Sequence, residues 1–196
     1  MKPENFNLHL IDYLDRLKKA FQDDLIKKIE ILSEDLIDTW EKDNQVFICG
    51  NGGSAANAIH IANDLHYGLG VNANRDGKGL KVEALPANSA VITCLANDTG
   101  YENIFSHQLR VKAQKDDLLI VLSGSGNSPN IVNVLKEGNK IGLKSYGILG
   151  FDGGKCKKLA TNSIHFQIND MLISEDIQMI VFNICFQWIV KKFNNK

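Results

Sequence analysis

Apolar residues in the first part of the chain recur every three or four positions. Leu8, Ile11, Leu14 and Leu17 make one such series, and Leu25, Ile29, Leu32, Leu36 and Ile37 make another. That spacing lines one face of an α-helix, so residues 1–43 read as one long or two shorter amphipathic helices. Trp40, near their end, reads as core or interface. The period then changes. Gln45–Cys49 (QVFIC) is a short β-rich run closed by Gly50, and residues 54–67 return to helical spacing. Apolar runs at 80–85, 118–122, 145–149 and 163–166 suit strands, while 87–95, 101–113, 129–141 and 153–160 suit helices. The last element, 175–193, is a long helix apolar on more than one side, which calls for packing partners on both flanks. Residues 68–79 (GLGVNANRDGKG) show no periodicity and read as a flexible loop.

Alternating strands and helices, with nearly continuous apolar strands, imply a parallel sheet covered on both faces. The predicted fold class is α/β: a three-layer, doubly wound domain over residues 1–196, with 1–43 as oligomerisation helices and 44–196 as the α/β core. The apolar faces of the N-terminal and last helices exceed what one small sheet can cover. A large exposed apolar patch is unusual on a soluble monomer, so self-association is expected.

Composition narrows the functional classes. The 196 residues are 44% apolar and 23% charged, the mix of an ordinary globular domain. With 22 basic against 23 acidic residues the net charge is −1, so the basic excess of a nucleic-acid binder is missing and no direct nucleic-acid partner is expected. Lys155, Lys157 and Lys158 read as a solvated helix face. Cys49, Cys94, Cys156 and Cys185 have no C-x-x-C spacing; Cys49, Cys94 and Cys185 lie in or at the end of apolar runs and read as small buried hydrophobes. The polar N-terminus is no signal peptide, and no apolar run approaches the roughly 18 residues of a membrane helix. The expectation is a cytoplasmic protein with no membrane partner.

In an open parallel sheet, ligands bind beyond the carboxyl ends of the strands. Two such ends carry unusual loops. Gly50-Asn51-Gly52-Gly53-Ser54 joins QVFIC to a helix; its glycines admit a ligand close to the backbone, and the helix offers unpaired N–H groups. Ser123-Gly124-Ser125-Gly126-Asn127-Ser128-Pro129 follows the run DLLIVL, with proline at a favoured first helical position. Hydroxyls and free N–H groups without lysine suit a phosphate monoester. No Gly-Lys-Ser/Thr follows and neither loop spells G-x-G-x-x-G, so no nucleotide cofactor is expected. On the helix after the first loop, His60 and Asp64 are four apart and share a face with Asn57. Such an imidazole and carboxylate can act as an acid/base pair or bind a divalent metal. Glu175 and Asp176 open the last helix, where acids also favour the positive end of the helix dipole. His66, His107 and His165 read as structural.

Three blocks together resemble the sugar isomerase (SIS) domain family and, within it, the phosphoheptose isomerases: Gly50-Asn51-Gly52-Gly53-Ser54-Ala55-Ala56 with His60; Leu95-Ala96-Asn97-Asp98 with Gly100-Tyr101-Glu102-Asn103 and Phe105; and Ser125-Gly126-Asn127-Ser128. The resemblance implies a five-stranded parallel sheet and a homotetramer with active sites at subunit interfaces. It implies isomerisation of sedoheptulose 7-phosphate to D-glycero-D-manno-heptose 7-phosphate for surface-polysaccharide synthesis. The phosphate would sit on Ser123, Gly124, Ser125 and Ser128, and the sugar against Asn51, Gly52, Gly53, Ser54 and Asn88. Zinc is the implied ion, with His60, Asp64 and Glu175 as its candidate ligands.

The chain departs from the family pattern where protons move. Asp64 stands for a glutamate, Asn183 for a histidine, Gly68 for an arginine, Glu175 for a glutamine, Gly124 for a threonine and Asn88 for an aspartate. Asparagine has no proton to titrate at neutral pH. Asp64 and Glu175 are therefore the expected catalytic pair, with His60 as ligand or orienter. The alternative is a non-catalytic sugar-phosphate-binding protein, or a regulatory protein that associates with the replication initiator DnaA.

Overall fold

The computed structural model describes residues 5–195. Five parallel strands lie in the order β2-β1-β3-β4-β5: β1 (Gln45–Cys49), β2 (Lys81–Ala84), β3 (Leu118–Ser123), β4 (Lys144–Leu149) and β5 (Asn162–His165). Ile48 of β1 lies opposite Ala84 on one side and Ile120 on the other, and Ile120 opposite Tyr146. The order makes the chain reverse its direction of travel between β1 and β3, which opens a crevice at their carboxyl ends.

Period-two alternation builds two cores. Val46, Ile48, Leu118, Ile120 and Leu122 point to one face, and Phe47, Cys49, Leu119 and Val121 to the other. The first face is covered by α2 (Asp23–Glu41), α3 (Gly53–Asn63), α4 (Leu69–Asn72) and α9 (Met171–Asn194). The second is covered by α6 (Ser106–Lys112), α7 (Pro129–Ile141) and α8 (Cys156–Leu159), with α5 (Ser89–Thr99) lying beside them. Each aliphatic chain buried this way contributes about 1.5–3 kcal/mol relative to exposure.

The N-terminal segment is two helices. In α2, Leu25, Ile29, Leu32, Leu36 and Trp40 are buried on one face, so this helix is a wall of the core. By contrast α1 (Phe6–Lys19) buries no side chain. It is tethered through Tyr13, whose hydroxyl donates to Asp176 at 2.6 Å, and Arg16, which pairs with Asp170 at 2.7 Å. Leu8, Ile11 and Leu14, the predicted apolar stripe, are exposed. In α9, Ile173, Ile177, Val181, Cys185 and Ile189 form a buried spine, while Ile184 and Trp188 remain exposed on another side. By length and composition this helix could cross a membrane, but its spine is a central part of the core.

Four expectations change. The segment 68–79 is not a flexible loop throughout: helix continues from α3 through a π turn (Asp64–Gly68) into α4, and Leu69 and Leu80 are buried. Gly79 packs against the His66 backbone so closely that a side chain would not fit. Gly70 and Gly79 thus meet neighbouring backbone closely, while residues 73–77 run through turns and Gly77 stands in open space. Residues 101–113 divide into a 3₁₀ turn (Tyr101–Asn103) and α6. The last helix begins at Met171, capped by Asp170, whose carboxylate accepts from the N–H groups of Leu172 and Ile173. Cys94 is exposed, because α5 buries none of its residues. Its thiol donates to Asp98 at 3.5 Å, and that carboxylate raises the thiol's pKa.

Candidate active site

Both predicted loops reach the crevice between β1 and β3. After β1, Gly52 takes φ 55° and ψ −123°, a conformation open to glycine, and turns the chain into α3. Gly53 follows, and the Glu175 carboxylate occupies the space where a side chain at position 53 would stand. Thus Glu175, in the second turn of its own helix, serves the N-terminal end of α3, where positive helix charge favours it. Ser54 is buried, and its hydroxyl accepts from Gln178 Nε2 at 3.0 Å. Asn57 completes this cluster by donating to the Glu175 carbonyl and to Gln178 Oε1, both at 3.0 Å.

The second loop is folded on its own hydroxyls. Ser123 Oγ accepts from Gly126 N–H at 3.0 Å, and Ser125 Oγ from Asn127 N–H at 3.3 Å. Gly126, at φ 63°, packs directly on the Gly153 carbonyl, so a side chain there would collide with backbone. Ser128 precedes Pro129 at the start of α7 and makes no side-chain bond to that helix, which leaves its hydroxyl for a ligand. The loops are locked together by a reciprocal amide pair, Asn51 with Asn130, at 2.9 and 2.8 Å. Tyr101 also donates to Asn51 Oδ1 at 3.1 Å.

Between the loops lies a cleft of ≈ 250 Å³, lined by Asn51 to Ser54, by Ser123, Gly124, Ser125 and Ser128, and by Leu122, Met171 and Glu175. Among the described residues that line it, Glu175 alone is charged. An anion in this cleft therefore meets hydroxyls and the N-terminal ends of α3 and α7, which supply positive potential without a cation.

The other predicted residues lie elsewhere. Asn88 is exposed and caps α5 by accepting from Val91 N–H at 3.1 Å; it does not line the cleft, because its carboxamide is turned to its own helix. His60 and Asp64 do pair, Nε2 to Oδ2 at 3.3 Å, but their side chains are 61% and 39% exposed and outside the cleft. At 1.5 Å rise per residue, Asp64 stands about 15 Å along the helix from Ser54. Asn57, placed on the same face by spacing, is instead drawn to α9. Asn183 is exposed on α9.

The proposed zinc ligands are not gathered. Among the described residues no group of three His, Cys, Asp or Glu side chains converges as a metal site, and Glu175 lies against Gly53 while His60 and Asp64 face solvent. The donor set of one chain does not fit the ion.

Gln178, Asn130 and Tyr101 hold cleft residues Ser54 and Asn51 in place by hydrogen bonds, and spacing alone did not single them out. Gln178 falls three residues after Glu175 on α9 and so shares its face. Tyr101 lies within one of the family-like blocks, and Asn130 directly follows the loop.

Comparison with known proteins agrees with this architecture. Residues 9–150 match the SIS domain family. A phosphoheptose isomerase from Aliarcobacter butzleri is 37% identical over 77% of this chain and 82% of its own. One from Helicobacter pylori is 33% identical over 92% of this chain and 97% of its own. The structure of a phosphoheptose isomerase from Neisseria gonorrhoeae, 24% identical, shares the fold with a TM-score of 0.84 over 94% of this chain and 96% of that one. The two glycine-rich loops, the sheet order and these matches lead to one assignment: the chain belongs to the SIS domain family and, within it, to the phosphoheptose isomerases.

Proposed function

We propose that the protein is an aldose–ketose isomerase that converts sedoheptulose 7-phosphate to D-glycero-D-manno-heptose 7-phosphate for surface-polysaccharide synthesis. The observation that carries this reading is the cleft of hydroxyls and helix N-terminal ends at the β1/β3 crevice, in a chain of this family. The phosphate sits on Ser123, Ser125 and Ser128, with the Gly124 backbone beside them. The sugar extends past Asn51, Gly52, Gly53 and Ser54 toward Glu175. Ser54, with its acceptor taken by Gln178, contributes its hydroxyl proton.

Ketose and aldose interconvert through an enediol, which needs one group to move a proton between C1 and C2 and another to exchange protons on the oxygens. Glu175, which lines the cleft, serves the oxygens. Asp64, oriented by His60, serves the carbons, and because one chain keeps it away from its own cleft it acts in the cleft of a neighbouring copy. The protein is accordingly a homotetramer with active sites shared between subunits. The exposed apolar residues of α1 and the unburied α5 support such assembly. In this reading the proton transfers run through the chain's own side chains. The protein is cytoplasmic, in keeping with its free cysteines.

The test is to incubate the protein with sedoheptulose 7-phosphate in D₂O and follow proton and phosphorus NMR. New aldose signals with deuterium beside the carbonyl are expected. Shifted phosphate signals without exchange would overturn the enzyme reading in favour of a sugar-phosphate-binding protein, the reading favoured by the exposed, untitratable Asn183.

A further inference from the structure

A second cleft, of ≈ 350 Å³, lies at the β5 edge of the sheet between the α1–α2 junction and α8, and shares no lining residue with the first. Its chemistry is different. Lys19, Lys28 and Lys157 line it together with His165 and Ser163, and Asp24 is the single acid among the described lining residues. Lys28 contacts Asp24 only loosely, at 3.8 Å between exposed groups, and Lys19 and Lys157 have no ion-pair partner among the described residues. Ser163 Oγ is buried and has no hydrogen-bond partner among the described residues. A hydroxyl left this way carries a desolvation penalty, which a turn of its side chain toward a ligand oxygen in the cleft would remove.

The strand explains how these groups meet. Ser163, His165 and Gln167 alternate along one face of β5 and its extension, while Ile164 and Phe166 point into the core. Three ammonium groups, an imidazole and a hydroxyl donor facing one small space suit a compact ligand with several acceptor oxygens and more than one negative charge. The volume admits a small phosphate ester.

The wall between the two clefts is one segment. Lys157 and His165 both pack against Gly153. Gly153 in turn backs Gly126 of the active-site loop, and the N–H groups of Cys156 and Lys155 donate to Gly126 O at 3.0 Å and Asn127 Oδ1 at 3.1 Å. His165 Nε2 also lies 2.9 Å from the Phe151 carbonyl in that segment. An anion held by Lys157 therefore bears on the back of the loop that receives the substrate.

We propose that this cleft is a second, non-catalytic site for a phosphate group, carried by a small metabolite or free in solution. The test uses full-length protein bearing Ser125→Ala and Ser128→Ala, which weakens the first cleft, and the lysine substitutions then separate this site from it and from the isomerase reading. Inorganic phosphate and glycerol 3-phosphate are titrated in by calorimetry, with a thermal melt to verify folding. Saturable binding is expected to persist, to weaken roughly tenfold or more on adding Lys28→Glu and Lys157→Glu, and to weaken less with Ser163→Ala. Tighter binding of the ester would assign a metabolite, and equal binding free phosphate; either result supports the site. No binding, or affinity unchanged by the lysine substitutions, overturns it.

Discussion

The two ends of α3 are built in opposite ways. At its N-terminal end the polar groups are paired and enclosed: Ser54 with Gln178, Gln178 with Asn57, and Glu175 over Gly53. At its C-terminal end His60 and Asp64 have each other and solvent, and the helix passes into a π turn. The first end is preorganised within one chain, as binding of a fixed anion requires. The second is open, its two groups left to each other and to solvent. In the proposed mechanism the enclosed end holds Glu175 beside the substrate, and the open end offers Asp64 to a neighbouring copy.

Substitutions can break this contrast. The largest effect is expected from Asp64→Asn, which should lower turnover of sedoheptulose 7-phosphate by about 10²–10⁴-fold while leaving phosphate affinity nearly unchanged. Steady-state kinetics with a direct binding titration would check it, and unchanged turnover would remove Asp64 from the mechanism. A mixture of this variant with Ser125→Ala/Ser128→Ala protein should regain activity after subunit exchange if sites are shared, and stay inactive if each chain works alone. Next in size, Gln178→Leu strips a partner from the buried Ser54 hydroxyl and one of two from the half-buried Asn57 amide, and should destabilise the fold by about 1–3 kcal/mol in urea unfolding. Disturbing the exposed pair with His60→Gln should leave the urea midpoint within error of the parent, since exposed pairs contribute little.

A further prediction concerns a pair remote from both ends. Glu137 of α7 is buried and bidentate with Arg110, at 2.9 and 3.1 Å. The guanidinium holds its carboxyl below the usual carboxylate range, with burial opposing. A carboxyl that titrates lower when folded contributes stability that is complete above its unfolded pKa of about 4.3 and lost as pH falls through the folded value. Glu137→Gln should therefore narrow the stability difference between neutral and acid pH. Urea midpoints at neutral pH and below pH 4 would show it, and parallel curves for parent and variant would refute the coupling.

Much of this was legible in the chain. The runs 118–122 and 145–149 could be placed within a residue because strands buried on both faces are largely apolar. The serine loop was legible because hydroxyls, glycines and a following proline are required locally. Residues 68–79 were misread because glycine spacing reports either freedom or close contact, and only the packed neighbours distinguish them. The start of α9 was displaced by a turn because Glu175 and Asp176 resemble an acidic first turn, while the true cap is Asp170. Asn88 was placed with the substrate by resemblance, and its own helix claims its carboxamide.

Sequence by itself determined the elements, their parallel pairing, and the donors that two strand ends present. The elements and donors depend on residues near one another along the chain, where dihedral preference and side-chain period act directly, and the alternation of strands with helices implies the parallel pairing. Which side chains meet across elements was decided by tertiary structure alone. Gln178 reaches Ser54 over a separation of 124 residues. Glu175 closes on Gly53 while His60 and Asp64, on the same helix as Gly53, are carried away from it. Periodicity sets the face of a helix but not its docking partner, and docking follows from strand order and the fit of two cores.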